Sequence, residues 1–140
     1  MSRFRFASTS LRTIVVALLV VACGDSPSGP KSDQLGTYVL SSVNGAVAPW
    51  IIYDDEYYKL EITRAYLTLN AEGACRSSMS IRVTDKATST VSAEEESGVC
   101  SYSIRGSTLT VTVDGEAYTA TISGDTIRVS LDGDVLVYRK

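Results

Sequence analysis

The chain has 140 residues, a formal net charge of −3 and no histidine. This length suits one domain. The absence of histidine excludes the Ser-His-Asp triad, the Cys-His dyad and histidine-ligated metal centres. The acidic balance lacks the clustered lysines and arginines that nucleic-acid binding requires, so no nucleic-acid partner is expected.

The N-terminus has the features of a signal peptide. Arg3, Arg5 and Arg12 precede an uninterrupted apolar stretch of nine residues, 14–22. A membrane-spanning helix needs about 20 apolar residues, so this stretch is too short to span and has the length of a signal-peptide core. Cleavage after residue 22 would leave ten basic and sixteen acidic residues, a net charge of −6.

The apolar stretch ends in Val20-Val21-Ala22-Cys23. This run resembles the lipobox of bacterial lipoproteins. The resemblance implies a diacylglycerol in thioether linkage on Cys23, cleavage before that residue, acylation of the new amino group and hence a membrane partner. The alternative is an ordinary secretory signal followed by a chance cysteine.

Two or more acyl chains anchor a protein stably, whereas one holds it only marginally. The lipoprotein resemblance favours the outer membrane, because Gly24 rather than aspartate follows Cys23. The domain would then lie in the periplasm or at the cell surface. Residues 23–34 are rich in Pro, Gly, Ser and Asp, so we expect a flexible tether without structure.

Residues 35–140 predict an all-β domain. Leu109, Val111 and Val113 alternate with threonines, and the same two-residue period recurs in 118–122 and 127–131. Asp114-Gly115 and Asp132-Gly133 separate the last strands as tight turns. No helix is predicted. The expected strands are 38–43, 57–69 with a bend near 63–64, 75–83, 91–95, 99–104, 109–113, 117–122, 127–131 and 135–138.

Short connections allow only antiparallel neighbours, and closing the sheet removes its exposed edges. We therefore expect a small antiparallel up-and-down β-barrel of 8–9 strands. Gly36-Thr37-Tyr38 and residues 67–73, 98–113 and 135–139 resemble the lipocalin-like domains of bacterial lipoproteins. The resemblance implies a fold that often binds small apolar molecules. It also implies that Tyr38 replaces the usual first-strand Trp and that Arg139 packs on it.

Cys75 and Cys100 are the cysteines that remain when Cys23 is lipidated. An even pair in an exported chain predicts a disulfide, and strand parity points both side chains inward. A redox-active thiol pair is the alternative, although the chain has no Cys-x-x-Cys motif.

The predicted disulfide also sets a register. Pairing Cys75 with Cys100 directly would place Ile81 opposite Glu94. One extra residue at Gly98 would place Ile81 opposite Ala93 instead, so a β-bulge is expected at Gly98.

Residues 50–58 are dense in aromatic side chains. Tyr and Trp combine apolar surface with a hydrogen-bond donor, so Trp50, Tyr53, Tyr57 and Tyr58 are candidate ligand contacts at the barrel mouth. The alternative is a long first loop whose Trp50, Ile51 and Ile52 cap the core.

The acidic runs predict no catalytic or metal site. Residues 54–56 lack the spacing of a calcium loop, and 132–134 form a turn. Glu94, Glu95 and Glu96 are expected on a solvated strand face, where they protect an edge. A barrel this small offers no evident catalytic cleft, so the prediction is a non-enzyme without cofactor.

Two functions remain open for this expected monomer. The first is a lipid-anchored module that binds a small apolar or amphipathic ligand. The second is a structural, interaction or inhibitor protein of the envelope with a filled barrel. An interior cavity lined by Tyr and small residues would distinguish the first from the second.

Overall fold

A computed structural model describes residues 29–140 of the chain. A short 3-10 helix, Ser32–Gln34, precedes nine strands. The predicted signal peptide, residues 1–22, and Cys23 lie outside the described residues. The strands are β1 (Gly36–Val43), β2 (Trp50–Asp54), β3 (Tyr58–Leu69), β4 (Ala74–Asp85), β5 (Thr90–Arg105), β6 (Thr108–Val113), β7 (Glu116–Ser123), β8 (Thr126–Leu131) and β9 (Asp134–Arg139).

The strands close an eight-stranded antiparallel barrel with up-and-down topology. From β3 to β9 each strand pairs with the next along the chain, and β1 joins the two ends by pairing with both β3 and β9. β2 is an additional strand on the other half of β3. This arrangement confirms the predicted all-β, up-and-down barrel of 8–9 strands.

β2 occupies residues that the sequence analysis treats as a loop. β1 pairs with β3 only from Gly36 to Val39 and then leaves it to pair with β9. This departure exposes the edge of the first half of β3. The β-branched and aromatic residues of β2 pair there, from Trp50 opposite Ile62 to Asp54 opposite Lys59.

The bend predicted near residues 63–64 is present in β3. The register with β4 shifts between Ile62 and Arg64. The extra residue allows Ile62 and Ala65 to face the barrel interior, although they are three positions apart. Both belong to the same apolar cluster around Trp50.

The two ends of the barrel differ. The closed end carries the 3-10 helix, the C-terminus and the β3–β4, β5–β6 and β7–β8 turns. The main core cluster lies on this side, where Tyr38, Leu109 and Ile127 have no exposed surface. The open end carries the other hairpin tips, and beneath them a second cluster surrounds Leu40, Trp50 and Ala65.

A disulfide between Cys75 and Cys100 joins β4 to β5, as predicted, with 4.8 Å between the Cα atoms. The β-bulge predicted at Gly98 is wrong: the register runs unbroken from Ala74 opposite Ser101 to Asp85 opposite Thr90. Ile81 therefore faces Glu94. No apolar partner is needed on β5, because residues 90–97 lie in solvent while Ile81 is buried against the Ile62 side of the sheet.

Residues 90–100 of β5 form a free strand edge. β5 pairs with β4 from Thr90 onward, but its pairing with β6 covers only Ser101–Arg105. The long β4–β5 hairpin thus extends beyond the shorter β6–β7 hairpin. The barrel wall is interrupted beside the upper half of β5.

Candidate ligand-binding site

The barrel interior contains a cavity of about 150 Å³. Medium-sized apolar side chains from β3 and β6–β8 provide most of its wall, and three tyrosines and a serine add polar groups. The lining residues are Tyr66, Leu67, Ser77, Leu109, Val111, Tyr118, Ala120, Ile127, Val129 and Tyr138. The space remains because inward positions of the lining strands, β4 included, carry Ala, Ser and Val, and both phenylalanines of the chain lie in the predicted signal peptide.

A larger space of about 330 Å³ adjoins this cavity and opens at the free edge of β5. Both spaces are lined by Tyr66, Ser77 and Tyr138. The remaining lining residues are Ala65, Ser78, Met79, Glu96, Ser97 and Gly98. Because Glu96, Ser97 and Gly98 lie where β5 has no β6 partner, the interior is reached from the side of the barrel.

Small residues keep this lateral entrance open. Ser77 and Gly98 are cross-strand partners in β4 and β5. A Cβ added to Gly98 would lie 3.5 Å from the Ser77 Oγ, an ordinary contact, and Gly98 does not have a positive φ. A larger side chain at Gly98 would therefore fit the backbone and project into the entrance.

Tyr138 connects the two apolar clusters and lines both spaces. Burial raises the pKa of its phenol. The hydroxyl therefore stays neutral well above pH 7 and offers one donor and one acceptor to an interior ligand. Neutral polar groups such as this one, in a largely apolar cavity wall, favour an uncharged or amphipathic molecule.

Trp50, a predicted ligand contact, is part of the core. Its side chain is 6% exposed and packs with Leu40 and Ala65. Its indole Nε1 donates a hydrogen bond to the Ala46 carbonyl at 2.6 Å. This position agrees with the core-capping alternative for Trp50 alone, because Ile51 and Ile52, the other two proposed caps, are more than half exposed.

Trp50 also lines a separate groove of about 310 Å³ at the open end. The groove runs between β2 and the β8–β9 turn, and its other residues include Ile51, Leu131 and Asp134. It shares no lining residue with the interior spaces. The Trp50 cluster separates the two regions.

The other predicted aromatic contacts, Tyr53, Tyr57 and Tyr58, lie at the tip of the β2–β3 hairpin and are each about half exposed, at 50%, 59% and 47%. They line neither interior space. Asp55 Oδ1 accepts hydrogen bonds from the backbone N–H groups of Tyr57 and Tyr58, both at 2.7 Å. These bonds and one from the Tyr53 hydroxyl hold the turn in shape.

The Tyr53–Asp55 contact perturbs both groups. The hydrogen bond from the Tyr53 hydroxyl lowers the pKa of Asp55, with further contributions from the backbone bonds and Lys86. The same hydrogen bond raises the pKa of Tyr53. Lys86 of the neighbouring hairpin also pairs with Asp54 at 2.5 Å. Asp54 and Asp55 therefore join the tips of the β2–β3 and β4–β5 hairpins through Lys86.

At the closed end, Tyr38 is fully buried and its hydroxyl donates to the Gln34 carbonyl at 2.8 Å. The cation over its ring is Lys140, with Nζ 5.1 Å from the ring centroid, rather than the predicted Arg139. Strand alternation explains the difference. Tyr138 faces the core, so Lys140 shares its side of β9 and the exposed Arg139 points outward.

Ser77, Gly98 and Tyr138 are site residues that were not predicted from the sequence. One signal was available: inward parity with Cys75, Cys100 and Leu136 identifies all three as facing the interior. Their proximity could not be predicted, because only the closed barrel brings Ser77 of β4 and Gly98 of β5 together with Tyr138 of β9.

No family model, curated protein or solved structure matches the chain. The eight-stranded antiparallel barrel itself is compatible with a lipocalin-like fold. Within residues 29–140, no helix has the length and apolar character needed to cross a membrane. The same residues contain no group of three or more Cys, Asp or Glu side chains arranged to hold a metal ion.

Proposed function

We propose that this protein is a bacterial envelope lipoprotein, anchored through lipid on Cys23, whose barrel binds a small apolar or amphipathic ligand. The observation that carries the ligand proposal is the interior cavity of about 150 Å³ with its adjoining entrance. An apolar cavity of about 150 Å³ holds a molecule the size of benzene. The entrance extends the available space into the range of small-molecule pockets, roughly 300–1,000 Å³.

The anchor proposal is supported by the sequence alone. Val20-Val21-Ala22-Cys23 ends the apolar stretch and resembles a lipobox. An Asp- and Ser-containing segment with two prolines links Cys23 to the barrel, which suits a tether between a membrane and a folded domain. The outer membrane is the proposed location.

The test is a binding titration of Cys23→Ser protein with fatty acids, retinoids and environment-sensitive dyes. Gly98→Leu places a large side chain in the entrance and should weaken binding at least tenfold. Val99→Leu is the matched control, because Val99 neighbours Gly98 but points outward and is 73% exposed. It should leave affinity unchanged.

Two results would count against an interior ligand. Saturable binding that survives Gly98→Leu but shifts the Trp50 emission would assign the ligand to the open-end groove. No saturable binding of any probe would contradict the ligand-binding proposal as a whole. Trp50 is the sole tryptophan of the chain, so its emission reports on one place.

A structural, interaction or inhibitor role in the envelope is the second candidate. Five apolar or aromatic residues of β2 and its hairpin tip are about half exposed: Ile51, Ile52, Tyr53, Tyr57 and Tyr58. Aromatic residues are enriched at protein interfaces. Loss of partner binding on Ile52→Ser, with ligand titrations negative, would favour this function.

A further inference from the structure

The upper half of β5 presents backbone hydrogen-bonding groups that have no partner strand. Tyr102 N–H donates to the Gly73 carbonyl at 2.7 Å, so even-numbered β5 residues bond toward β4. Bonding direction alternates along an antiparallel strand. The N–H and C=O groups of the odd-numbered residues therefore point away from β4. Ser101 follows this rule, since it pairs with Thr112 of β6.

Above Ser101 the same groups face open space. The odd-numbered residues there are Val91, Ala93, Glu95, Ser97 and Val99, all of them exposed. No element within residues 29–140 pairs with this edge. The edge contains no proline or bulge, two of the devices that block strand addition elsewhere. It is thus a template for one further strand.

The charge on this edge is entirely negative. Glu94, Glu95 and Glu96 are consecutive, exposed and outside every ion pair in the described part of the chain. By alternation Glu95 lies on the outer face of the hairpin, and the two others lie on the inner face. A strand added here would therefore meet carboxylates on both of its faces.

We propose that the β5 edge binds an extended, lysine- or arginine-rich segment of a partner protein as an additional antiparallel strand. The backbone groups of the odd-numbered residues provide the ladder. The three carboxylates select basic side chains, because opposite charges on adjacent strands attract.

The same carboxylates disfavour a second copy of this chain as the occupant. Antiparallel self-pairing over the whole edge would place Glu95 opposite Glu95 and Glu94 opposite Glu96. Like charges directly opposite one another destabilise a strand pair. The acidic run thus protects the edge from self-association while leaving it open to a basic strand.

The probe is a nine-residue peptide with the repeat Lys-Lys-Thr-Thr, which places lysines on both faces of a strand, and the same repeat with glutamate in place of lysine is its counterpart. Binding is followed in the whole protein by amide hydrogen exchange and by titration. The lysine peptide should slow exchange at the odd-numbered residues of the edge, from Val91 to Val99, and the glutamate peptide should not. Replacing Glu94, Glu95 and Glu96 with Gln should weaken the lysine peptide at least tenfold.

Ser97→Pro tests the backbone ladder directly. The Ser97 N–H points to the free edge, so proline removes an edge donor and leaves the β4–β5 bonds in place. It should weaken the lysine peptide at least tenfold, and Ser97→Ala should not. Methylating alternate backbone nitrogens of the peptide removes the reciprocal bonds, from peptide N–H groups to the β5 carbonyls. This second test needs no change in the protein, so it still decides the question if Ser97→Pro is unstable.

Three results would overturn the proposal. Equal binding of the two peptides would contradict selection by charge, and binding of neither peptide would contradict strand addition at this edge. Binding that is unaffected by both Ser97→Pro and peptide methylation would place the peptide elsewhere. Dimerisation of the protein alone, lost in Ser97→Pro, would assign the edge to a second copy.

Discussion

Glu61 is a buried carboxylate on the outer side of the barrel wall. It is 4% exposed, although its position in β3 faces away from the core. Lys59 Nζ and Arg82 Nη2 each lie 2.8 Å from its oxygens, and Arg82 Nε donates a further bond at 2.9 Å. The hydrogen bonds from Lys59 and Arg82 lower its pKa from the ordinary value of 4.5.

This lowered pKa predicts how stability depends on pH. A carboxylate with a depressed folded-state pKa stabilises the protein above its unfolded-state pKa, and this contribution disappears as the pH falls through the folded-state value. Glu61→Gln should therefore lower the melting temperature at pH 7, and its deficit should shrink below pH 4.5. Thermal unfolding from pH 7 to pH 2 measures both effects.

Glu95→Gln is the control for Glu61→Gln, because it removes the same charge from an exposed residue of the free edge. It should leave the melting temperature at pH 7 nearly unchanged. An identical pH profile for the Glu61→Gln and Glu95→Gln proteins would show that Glu61 is not the group whose protonation destabilises the barrel in acid.

Among the elements, the β4–β5 hairpin combines a constrained base with an unpaired tip. The Cys75–Cys100 disulfide lies one residue above Ser101, where pairing of β5 with β6 begins. The bridge therefore fixes β5 to β4 at the level where β5 loses its other neighbour. Above the disulfide, the position of the hairpin is fixed by the pairing of β4 with β3 and by the Lys86 contacts at the hairpin tip.

Removing the disulfide should destabilise the whole domain. The cysteines are 25 positions apart, and a loop of this size restrains the unfolded chain by about 3–4 kcal/mol. The double variant Cys75→Ser, Cys100→Ser should lose that amount in urea unfolding. Reductant should lower the stability of the parent similarly and leave the variant unchanged. Two thiols titrating in the native parent would contradict the bridge.

The sequence pattern predicted the strands that depend on local signals. In β6–β8, strict alternation and turns of Asp and Gly suffice, and Asp114 and Gly115 have the positive φ of 50° and 86° that such a two-residue turn requires. The bulge at Gly98 failed for a non-local reason. That prediction assumed that the inner face of the β4–β5 hairpin is buried along its whole length. Residues 90–97 instead extend beyond the barrel wall and are exposed.

For the whole molecule, the position of the tether relative to the openings follows from the fold. The chain enters at the closed end, where Lys140 Nζ contacts the Asp33 carbonyl and lies 3.1 Å from that of Leu35. Residues 32–34, assigned to the tether from sequence, are ordered there as the 3-10 helix. The open-end groove lies at the opposite end of the barrel, and the free edge of β5 extends toward that end. An anchor at Cys23 would thus leave both accessible to the aqueous compartment.

The candidate site shows what a sequence of this kind conceals. Tyr and Trp in residues 50–58 were conspicuous by composition, yet Trp50 packs in the core and the tyrosines support a turn. The cavity depends instead on the small size of the side chains at two inward positions. Ser77 and Gly98 leave space beside Tyr138, and this space can be recognised only when the three strands that carry these residues are brought together.

The last prediction concerns Cys23 and the attachment of the whole molecule. Two or more acyl chains on Cys23 and its amino group would hold the protein in a membrane stably. Cys23→Ser removes the thiol that accepts the diacylglycerol, and the peptide that follows contains no other cysteine before Cys75. In detergent phase separation of the expressing cells, the parent should partition into the detergent phase and the Cys23→Ser protein into the aqueous phase.

The control for Cys23→Ser is the double variant Cys75→Ser, Cys100→Ser, which lacks the other two cysteines and keeps the lipobox. It should partition with the parent, provided that it is assayed below its lowered melting temperature. Mass spectrometry of the parent should find the acyl groups on an N-terminal Cys23. A Cys23→Ser protein that partitions as the parent does would contradict the lipoprotein proposal. If both partition into the detergent phase, the protein is attached in another way, and if both partition into the aqueous phase, it is not anchored.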